Sequence, residues 1–210
     1  MSEARLNTPI SPFPSREQKQ EERAARRAAV LRAAVRMFNA RGFHATSLED
    51  VATSLGISKP TIYHYLGNKD QVLLECVTIG LQQLLEAGAA ARAGPGTGAD
   101  RLQSFLRRYA EINMDDFGRC VIRTGEEALT PESVRRFRDL KREIDTAMRE
   151  LIEEGVADGS IAPVDPRLLA FALAGALNWP ARWHDPAGPQ SPGELADLLV
   201  ATLATGFLPR

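Results

Sequence analysis

The stretch Thr46-Ser-Leu-Glu-Asp-Val-Ala-Thr-Ser-Leu-Gly-Ile-Ser-Lys-Pro-Thr-Ile-Tyr-His-Tyr-Leu-Gly-Asn-Lys69 decides how the rest of the chain is read. Leu48, Val51, Ala52 and Leu55 fall at i, i+3, i+4 and i+7, which predicts a short helix with one apolar face. Thr46 or Ser47 caps its start by accepting a hydrogen bond from a free backbone N–H. Gly56 follows the last apolar position and can take a positive φ, which stops the helix, and Ile57 plugs the corner. Ser58 caps a second helix, and Pro60 fits its first turn, where a missing N–H removes no hydrogen bond. This helix is expected from Lys59 to about Leu66, with Ile62 and Leu66 facing inward. Two short helices joined by a tight glycine turn form a helix-turn-helix, whose second helix suits a DNA major groove.

The outward residue types fit that groove. Lys59 and Lys69 can neutralise phosphates. Thr61, Tyr63 and His64 can hydrogen-bond to phosphates or base edges, and aromatic rings, Tyr65 included, can lie against sugars or thymine methyls. Thr46, Ser47, Ser58 and Pro60, at the two helix starts, complete the expected DNA-contacting set. Helix-turn-helix shapes also occur in proteins that never touch DNA, so geometry alone leaves a protein-interaction module open.

The run Gly42-Phe43, Thr46, Val51-Ala52, Leu55 to Tyr65, Lys69-Asp70 and Leu73 resembles the DNA-binding domain of TetR-family transcriptional regulators, over roughly residues 23–82. The resemblance implies an all-α homodimer in which a ligand domain controls operator affinity. The expected organisation is a disordered arm (1–15), a three-helix domain with the helix-turn-helix (16–68) and a larger helical ligand-binding and dimerisation domain (69–210). A helix over about 69–92 connects the two. Leu66 stands where a Phe is frequent and still fills an apolar slot. Gly67 stands where a polar residue is frequent and is expected to loosen the turn after the second helix.

Composition agrees with helices. Apolar content is 44% but aromatic content only 6%, which suits Ala/Leu-built helices over sheets. Net charge is −1, yet residues 1–75 hold eleven basic against eight acidic side chains and residues 76–210 fifteen against nineteen. A mildly basic front and an acidic back agree with a front that faces nucleic acid. The N-terminus lacks the apolar segment of a signal peptide, and the longest apolar run, Leu168 to Leu177, is about half the ~18 residues a membrane helix needs. The chain is therefore expected to be cytoplasmic and away from membranes. Cys76 and Cys120 show no metal spacing and read as buried thiols, with a redox switch as the other possibility. His44, His64 and His184 form no ligand set, so neither metal nor cofactor is expected.

Ser15 to Gln18 has capping-box spacing and starts the first helix. Val30, Ala33, Ala34, Met37 and Phe38 repeat on its inner side, and Arg23, Arg26, Arg27, Arg32 and Arg36 on the other, where one or two can reach phosphate. Gly42 ends it. Asn68 caps the connecting helix. Gly94-Pro-Gly-Thr-Gly lacks the Gly-Lys-Ser/Thr ending of a phosphate loop and reads as a linker. Further helices are expected over about 100–116, 117–128, 131–157, 166–179 and 192–207.

The helix after Asp165-Pro166 is apolar nearly all round and must be buried on more than one side. Ala172, Gly175 and Ala176 allow another helix to approach closely. With Leu195, Leu198, Leu199 and Thr202 of the last helix they form the expected interface of a twofold four-helix bundle. A monomer core is the plain alternative.

The segment from Gly175 through Trp179-Pro-Ala-Arg-Trp-His184 to Pro192 resembles the C-terminal domains of TetR-like regulators of fatty-acid and sterol breakdown. That implies a large apolar effector, an acyl-CoA among the options. Trp179, Trp183, Phe105, Tyr109, Phe137 and Phe171 are expected around a tunnel. Asn113, Asn178, Arg182 and Arg123 are expected at its polar groups, arginine being suited to phosphate. An enzyme needs convergent catalytic groups. Glu126-Glu127 beside Arg123 is the nearest approach, and a solvated helix end explains it.

Overall fold

The computed structural model describes residues 15–205. Apart from Ser15 the expected disordered arm lies outside the described residues, as does the last part of the helix expected to reach Phe207. Among the described residues are ten α-helices and no strand. The first four are α1 (Arg16–Arg41), α2 (Leu48–Ser54), α3 (Lys59–Leu66) and α4 (Lys69–Arg92). Then come α5 (Gly98–Met114), α6 (Asp116–Arg123), a 3-10 turn (Glu126–Ala128) and α7 (Pro131–Ala157). The chain closes with α8 (Pro166–Asn178), α9 (Pro180–Trp183) and α10 (Pro192–Ala204).

Local chemistry sets the first three helices. Ser15 with Gln18 and Ser47 with Asp50 form reciprocal capping boxes, each satisfying two backbone N–H groups that would otherwise lack partners. Ser58 caps α3, with Pro60 in its first turn. Gly42, Gly56 and Gly67 all take positive φ, the last at 73°. Gly67 thus ends α3 in a conformation that L side chains avoid, and a Cβ there would meet the Gln71 side chain at 2.2 Å. The turn expected to be loosened is one that glycine specifies. Leu55 departs from the expected apolar face. Seven-residue α2 ends before it, and Leu55 caps the C-terminus at 39% exposure. Ile57 packs against the core from the corner. On α1, Leu31 and Val35 are buried beside Val30, Ala34 and Phe38, while Ala33 and Met37 are half-buried. The buried stripe is wider than expected because α6 packs on α1 as well as α2, α3 and α4.

Helix α4 carries the chain into the larger domain. It is long and apolar enough to match a membrane-crossing helix by length and composition, against the expectation from contiguous apolar runs. Its Val72, Leu73, Cys76, Val77, Leu81 and Leu84 are buried in the protein core, in a helix that packs against α5, α6 and α7.

Helix α5 begins at Gly98, inside the expected linker. Its first N–H groups are all used within the chain. Gly98 N donates to Asp158 Oδ2 (2.7 Å), Ala99 N to Ser160 Oγ (2.9 Å) and Asp100 N to Thr97 Oγ1 (3.3 Å). A Cβ on Gly98 would lie 2.3 Å from Gly155 of α7, so this glycine permits a backbone-to-backbone crossing rather than an anion site. The helix expected over 117–128 is in fact two pieces, with extended Thr124 ending α6. Helix α6 lies close against its neighbours: a Cβ on Gly118 would fall 2.0 Å from Ile112 O of α5, and one on Gly80 of α4 2.8 Å from Phe117 O.

Candidate DNA-reading face and effector cavity

Helix α3 buries Ile62 and Leu66 and turns its polar side outward. On that side Glu49 of α2 gathers two of the expected DNA contacts. Its Oε1 lies 2.6 Å from Lys59 Nζ and accepts from Tyr63 Oη at 3.0 Å, while Lys59 also sits 5.8 Å from the Tyr63 ring centre. The Lys59 hydrogen bond, with lesser help from the backbone and Tyr63, holds the Glu49 carboxyl below its ordinary range. In turn Glu49 raises both Lys59 and Tyr63. All three reach solvent, so phosphates can compete for Lys59. His64 Nε2 lies 3.2 Å from the Arg23 guanidinium, which places Arg23 of α1 beside the reading helix. Lys69 Nζ sits 4.2 Å above the Phe43 ring at the start of α4.

Other expected contacts have internal roles. Thr46 is buried, and its hydroxyl donates to Gly42 O at 2.9 Å. It pins the α1–α2 turn, and its side chain is not on the surface. Ser47 and Ser58 spend their hydroxyls on caps. Pro60 is exposed, Thr61 half-buried with its hydroxyl 2.8 Å from that of Ser58, and Tyr65 half-buried against the core. The α1 arginines are largely engaged. Arg27 makes a fork onto Glu75 and donates to Tyr65 O. Arg36 and Arg32 face Asp116 of α6, and Arg26 faces Glu22.

A cavity of about 530 Å³, open to solvent on one side, is lined by residues of α4, α5, α6, α7 and α8. Its apolar wall comes from Leu81, Leu84, Val121, Ile122, Ile144 and Met148. Five of the expected pocket residues line it: Tyr109, Phe137, Phe171, Asn178 and Arg182. The other five do not. Phe105 is wholly buried in the core, edge-on to Tyr109. Asn113 is buried behind Asn178 and donates to its Oδ1. Trp179 and Trp183 lie on the surface. Arg123, expected to hold phosphate, donates instead to three backbone carbonyls, those of Asn39, Ala181 and Arg182. A fork satisfied by backbone at 2.7–3.1 Å is a strut between α1, α6 and α9. Spacing could not separate these fates, because apolar and arginine side chains serve core, surface and pocket alike.

Lys141, Glu126 and Asp145 bring charge to the cavity. The two carboxylates have partners, Glu126 in Arg138 (2.6 Å) and Asp145 in Arg149 (2.5 Å). Lys141 Nζ lies 5.1 Å from the Phe137 ring centre and makes no salt bridge among the described residues. Arg138, with lesser help from Lys141, holds the Glu126 carboxyl below its ordinary range. Lys141 and Arg182 thus stand in the lining beside two carboxylates that are each held by another arginine. Sequence reasoning missed Lys141 altogether. It sits four residues after Phe137, on the same side of α7, and that spacing was the available signal.

Cavity and reading unit meet through α6. Val121 and Ile122 line the cavity, while the first residues of α6 hold α1: Arg36 Nε is 2.8 Å from Asp116 Oδ2, Asn39 Nδ2 donates to Asp116 O at 2.8 Å, and the Arg32 guanidinium lies 5.6 Å from the Phe117 ring centre. This second connection complements α4 and was not expected from sequence. Also unforeseen is His184, buried between Gln190 O (3.1 Å) and Arg119 (3.4 Å), where it pins the loop after α9 to α6. Cys76 and Cys120 are free and buried. Burial drives the Cys76 thiol well up and pushes Cys120 up to about 11, so the reactive thiolates are disfavoured.

Helix α8 buries only Ala170, Leu173 and Leu177. Leu168, Phe171 and Trp179 are 66%, 54% and 62% exposed, and Leu198 of α10 is 55% exposed. Among the expected interface residues, Ala172, Gly175, Leu198 and Thr202 are open to solvent in whole or in part, and Ala176 and Leu199 are half-buried. Leu195 is buried within its own chain and is not available to a partner.

An all-helical chain that presents a capped helix-turn-helix ahead of a larger helical domain has the architecture of a DNA-binding transcriptional regulator. Comparisons with known proteins give the family. Residues 30–76 match bacterial regulatory proteins of the tetR family, and residues 95–207 match the tetracyclin repressor-like C-terminal domain. The chain belongs to the TetR family of transcriptional regulators, which are not enzymes. It is 28% identical over 194 residues to the HTH-type transcriptional repressor KstR2 of Mycolicibacterium smegmatis, covering 88% of this chain and 91% of that one. Among solved structures it is similar to the TetR-family regulator PfmR of Thermus thermophilus, with TM-score 0.77, 30% identity and coverage of 86% and 99%. It is also similar to AibR in complex with isovaleryl coenzyme A and operator DNA, with TM-score 0.72, 25% identity and coverage of 84% and 97%.

Proposed function

We propose that this protein is a cytoplasmic homodimeric repressor that reads a palindromic operator with α3 and responds to a large apolar effector of the acyl-CoA class. The observation that carries this reading is the 530 Å³ apolar cavity whose wall includes α6, the helix that holds the end of α1. Its size falls in the range typical of small-molecule sites. An acyl chain occupies the apolar interior, and the anionic head of the ligand stays at the mouth near Lys141 and Arg182. Filling the cavity displaces Val121 and Ile122. Through Asp116 and Arg123 that displacement changes the seat of α1 and so the spacing of two reading heads across the dimer axis. Ligand releases DNA only to the extent that it binds the mis-spaced state better.

The dimer is supported by the exposed Leu168, Ala172 and Leu198 on α8 and α10, an apolar face with no cover among the described residues, and by Gly175 beside them. The DNA contacts on this reading are Lys59, Pro60, Thr61, Tyr63, His64 and Lys69, with Tyr65, Ser47 and Ser58 holding α2 and α3 in place and Arg23 joining from α1. The experiment is selection of bound sequences from a random DNA library, followed by titration of acyl-CoAs against the selected operator. Enrichment of a palindrome and its release by an acyl-CoA meet the expectation. No enrichment with folded, dimeric protein overturns the DNA-reading assignment and favours an interaction module on the same fold. A second reading keeps ligand and DNA bound together, as in the AibR complex. Ligand-saturated protein that still shifts the operator distinguishes it.

A further inference from the structure

Three polar side chains meet where Tyr109 and Asn178 line the cavity. The Tyr109 hydroxyl is buried, and a buried phenol must donate its proton to an acceptor. The acceptor it meets is Asn178 Oδ1, at 2.9 Å. Buried Asn113 donates to the same oxygen from Nδ2, also at 2.9 Å. These two donors on one oxygen orient the Asn178 amide, while Asn113 Oδ1 is buried with no hydrogen-bond partner among the described residues. The carbonyl end turns to α5, and the NH2 end, with no protein partner among the described residues, is left for the cavity that Asn178 lines. Elsewhere that wall is mainly aliphatic or aromatic: Leu84, Phe137, Ile144, Met148, Ala170 and Ala174 offer no donor.

We infer that Asn178 reads a carbonyl oxygen on the effector, with Tyr109 and Asn113 as the positioning residues that hold its amide as a donor. The inference rests on the acyl-CoA-class reading above and deepens it. A thioester carbonyl, between an apolar chain and a charged head, is the group this donor fits. An apolar ligand without a carbonyl leaves the Asn178 N–H groups desolvated and unpaired, which is how a site built around a hydrogen bond rejects an analogue lacking the partner.

The test compares dodecanoyl-CoA with its S-dodecyl thioether, in which CH2 replaces the carbonyl, by calorimetric titration of the full-length protein. The wild type is expected to bind the thioester about tenfold more tightly. Asn178→Asp keeps the oxygen that Tyr109 and Asn113 need and removes the NH2, so the fold is retained while the preference disappears. A ratio between two ligands with the same charged head cancels any general effect of the new carboxylate. Asn178→Leu, should it fold, removes the preference as well, and Asn178→Asp stands without it. Equal binding of the two ligands by the wild type, or a preference that survives in Asn178→Asp, overturns the inference while leaving the effector class intact. Binding of neither by folded wild-type protein overturns the effector class and the inference with it.

Discussion

Helices α3 and α8 have similar plans and opposite surfaces. Each begins with a capping side chain and a proline in the first turn, and each exposes more of itself than it buries. The outward side of α3 is polar, and neighbours from its own chain organise it: Glu49 holds Lys59 and Tyr63, and Arg23 reaches His64. The outward side of α8 is apolar, and among the described residues nothing covers Leu168 or Ala172. A polar outward face is already satisfied by water and waits for a ligand with charge. An apolar outward face is satisfied only by another body. The same exposure thus marks two different partners, and residue chemistry separates them.

The strongest way to break the comparison is at α8 and α10. Placing a charge in the middle of an apolar interface, as in Leu198→Arg, is expected to weaken self-association about a thousandfold, read by analytical ultracentrifugation, with helical content unchanged. Gly175 sharpens the point. A Cβ there meets nothing within 4 Å among the described residues. Gly175→Ala should therefore stabilise the α8 helix by roughly 0.5–1 kcal/mol. On the proposed dimer, Gly175→Leu should nevertheless loosen the association, because a small residue there would let a second helix approach closely. A dimer indifferent to both Gly175→Leu and Leu198→Arg would show that this face has another use.

On α3 the largest effect lies on its inward side. Ile62 is fully buried, so Ile62→Ala is expected to cost about 2–4 kcal/mol in denaturant unfolding, by lost transfer energy and the cavity left behind. On its outward side, and at the neighbouring start of α4, the effects are smaller and electrostatic. Lys69→Ala should weaken binding to every DNA sequence alike and reduce the salt slope by about one unit, whereas His64→Ala or Thr61→Ala should alter sequence preference. Loss of specificity in Lys69→Ala would interchange these roles.

The smallest effect concerns pH. Glu49 has its folded pKa lowered, chiefly by Lys59, so its pairing is present above the unfolded carboxylate value of 4.5 and is lost as pH falls through the lowered folded value. The group is open to solvent, and the change in stability should be slight. Glu49→Gln should let the Tyr63 phenol return toward its ordinary value of 10.0 in an alkaline spectrophotometric titration. It should also tighten non-specific DNA binding at low salt about threefold by removing one negative charge from the reading face. Unchanged Tyr63 titration would mean that Glu49 and Tyr63 do not stay paired in solution.

The amino-acid sequence by itself determined the helix-turn-helix. Its caps at Ser47, Ser58 and Asn68, its stops at Gly42 and Gly56 and its inward pair Ile62 and Leu66 act within three or four residues of chain, and such signals survive in one dimension. They also marked α8 as a helix with too much apolar surface for one neighbour. Tertiary structure alone decided where side chains of the same type ended up. Phe105 went to the core, Phe137 to the cavity wall and Trp179 to the surface. Arg123 became a strut on backbone carbonyls, Lys141 a cation of the cavity and Thr46 a buried pin. The reason is physical: an aromatic ring or a guanidinium is satisfied by any of several surroundings, and only the crossing of α4, α5 and α6 at Gly80 and Gly118 settles which one it meets.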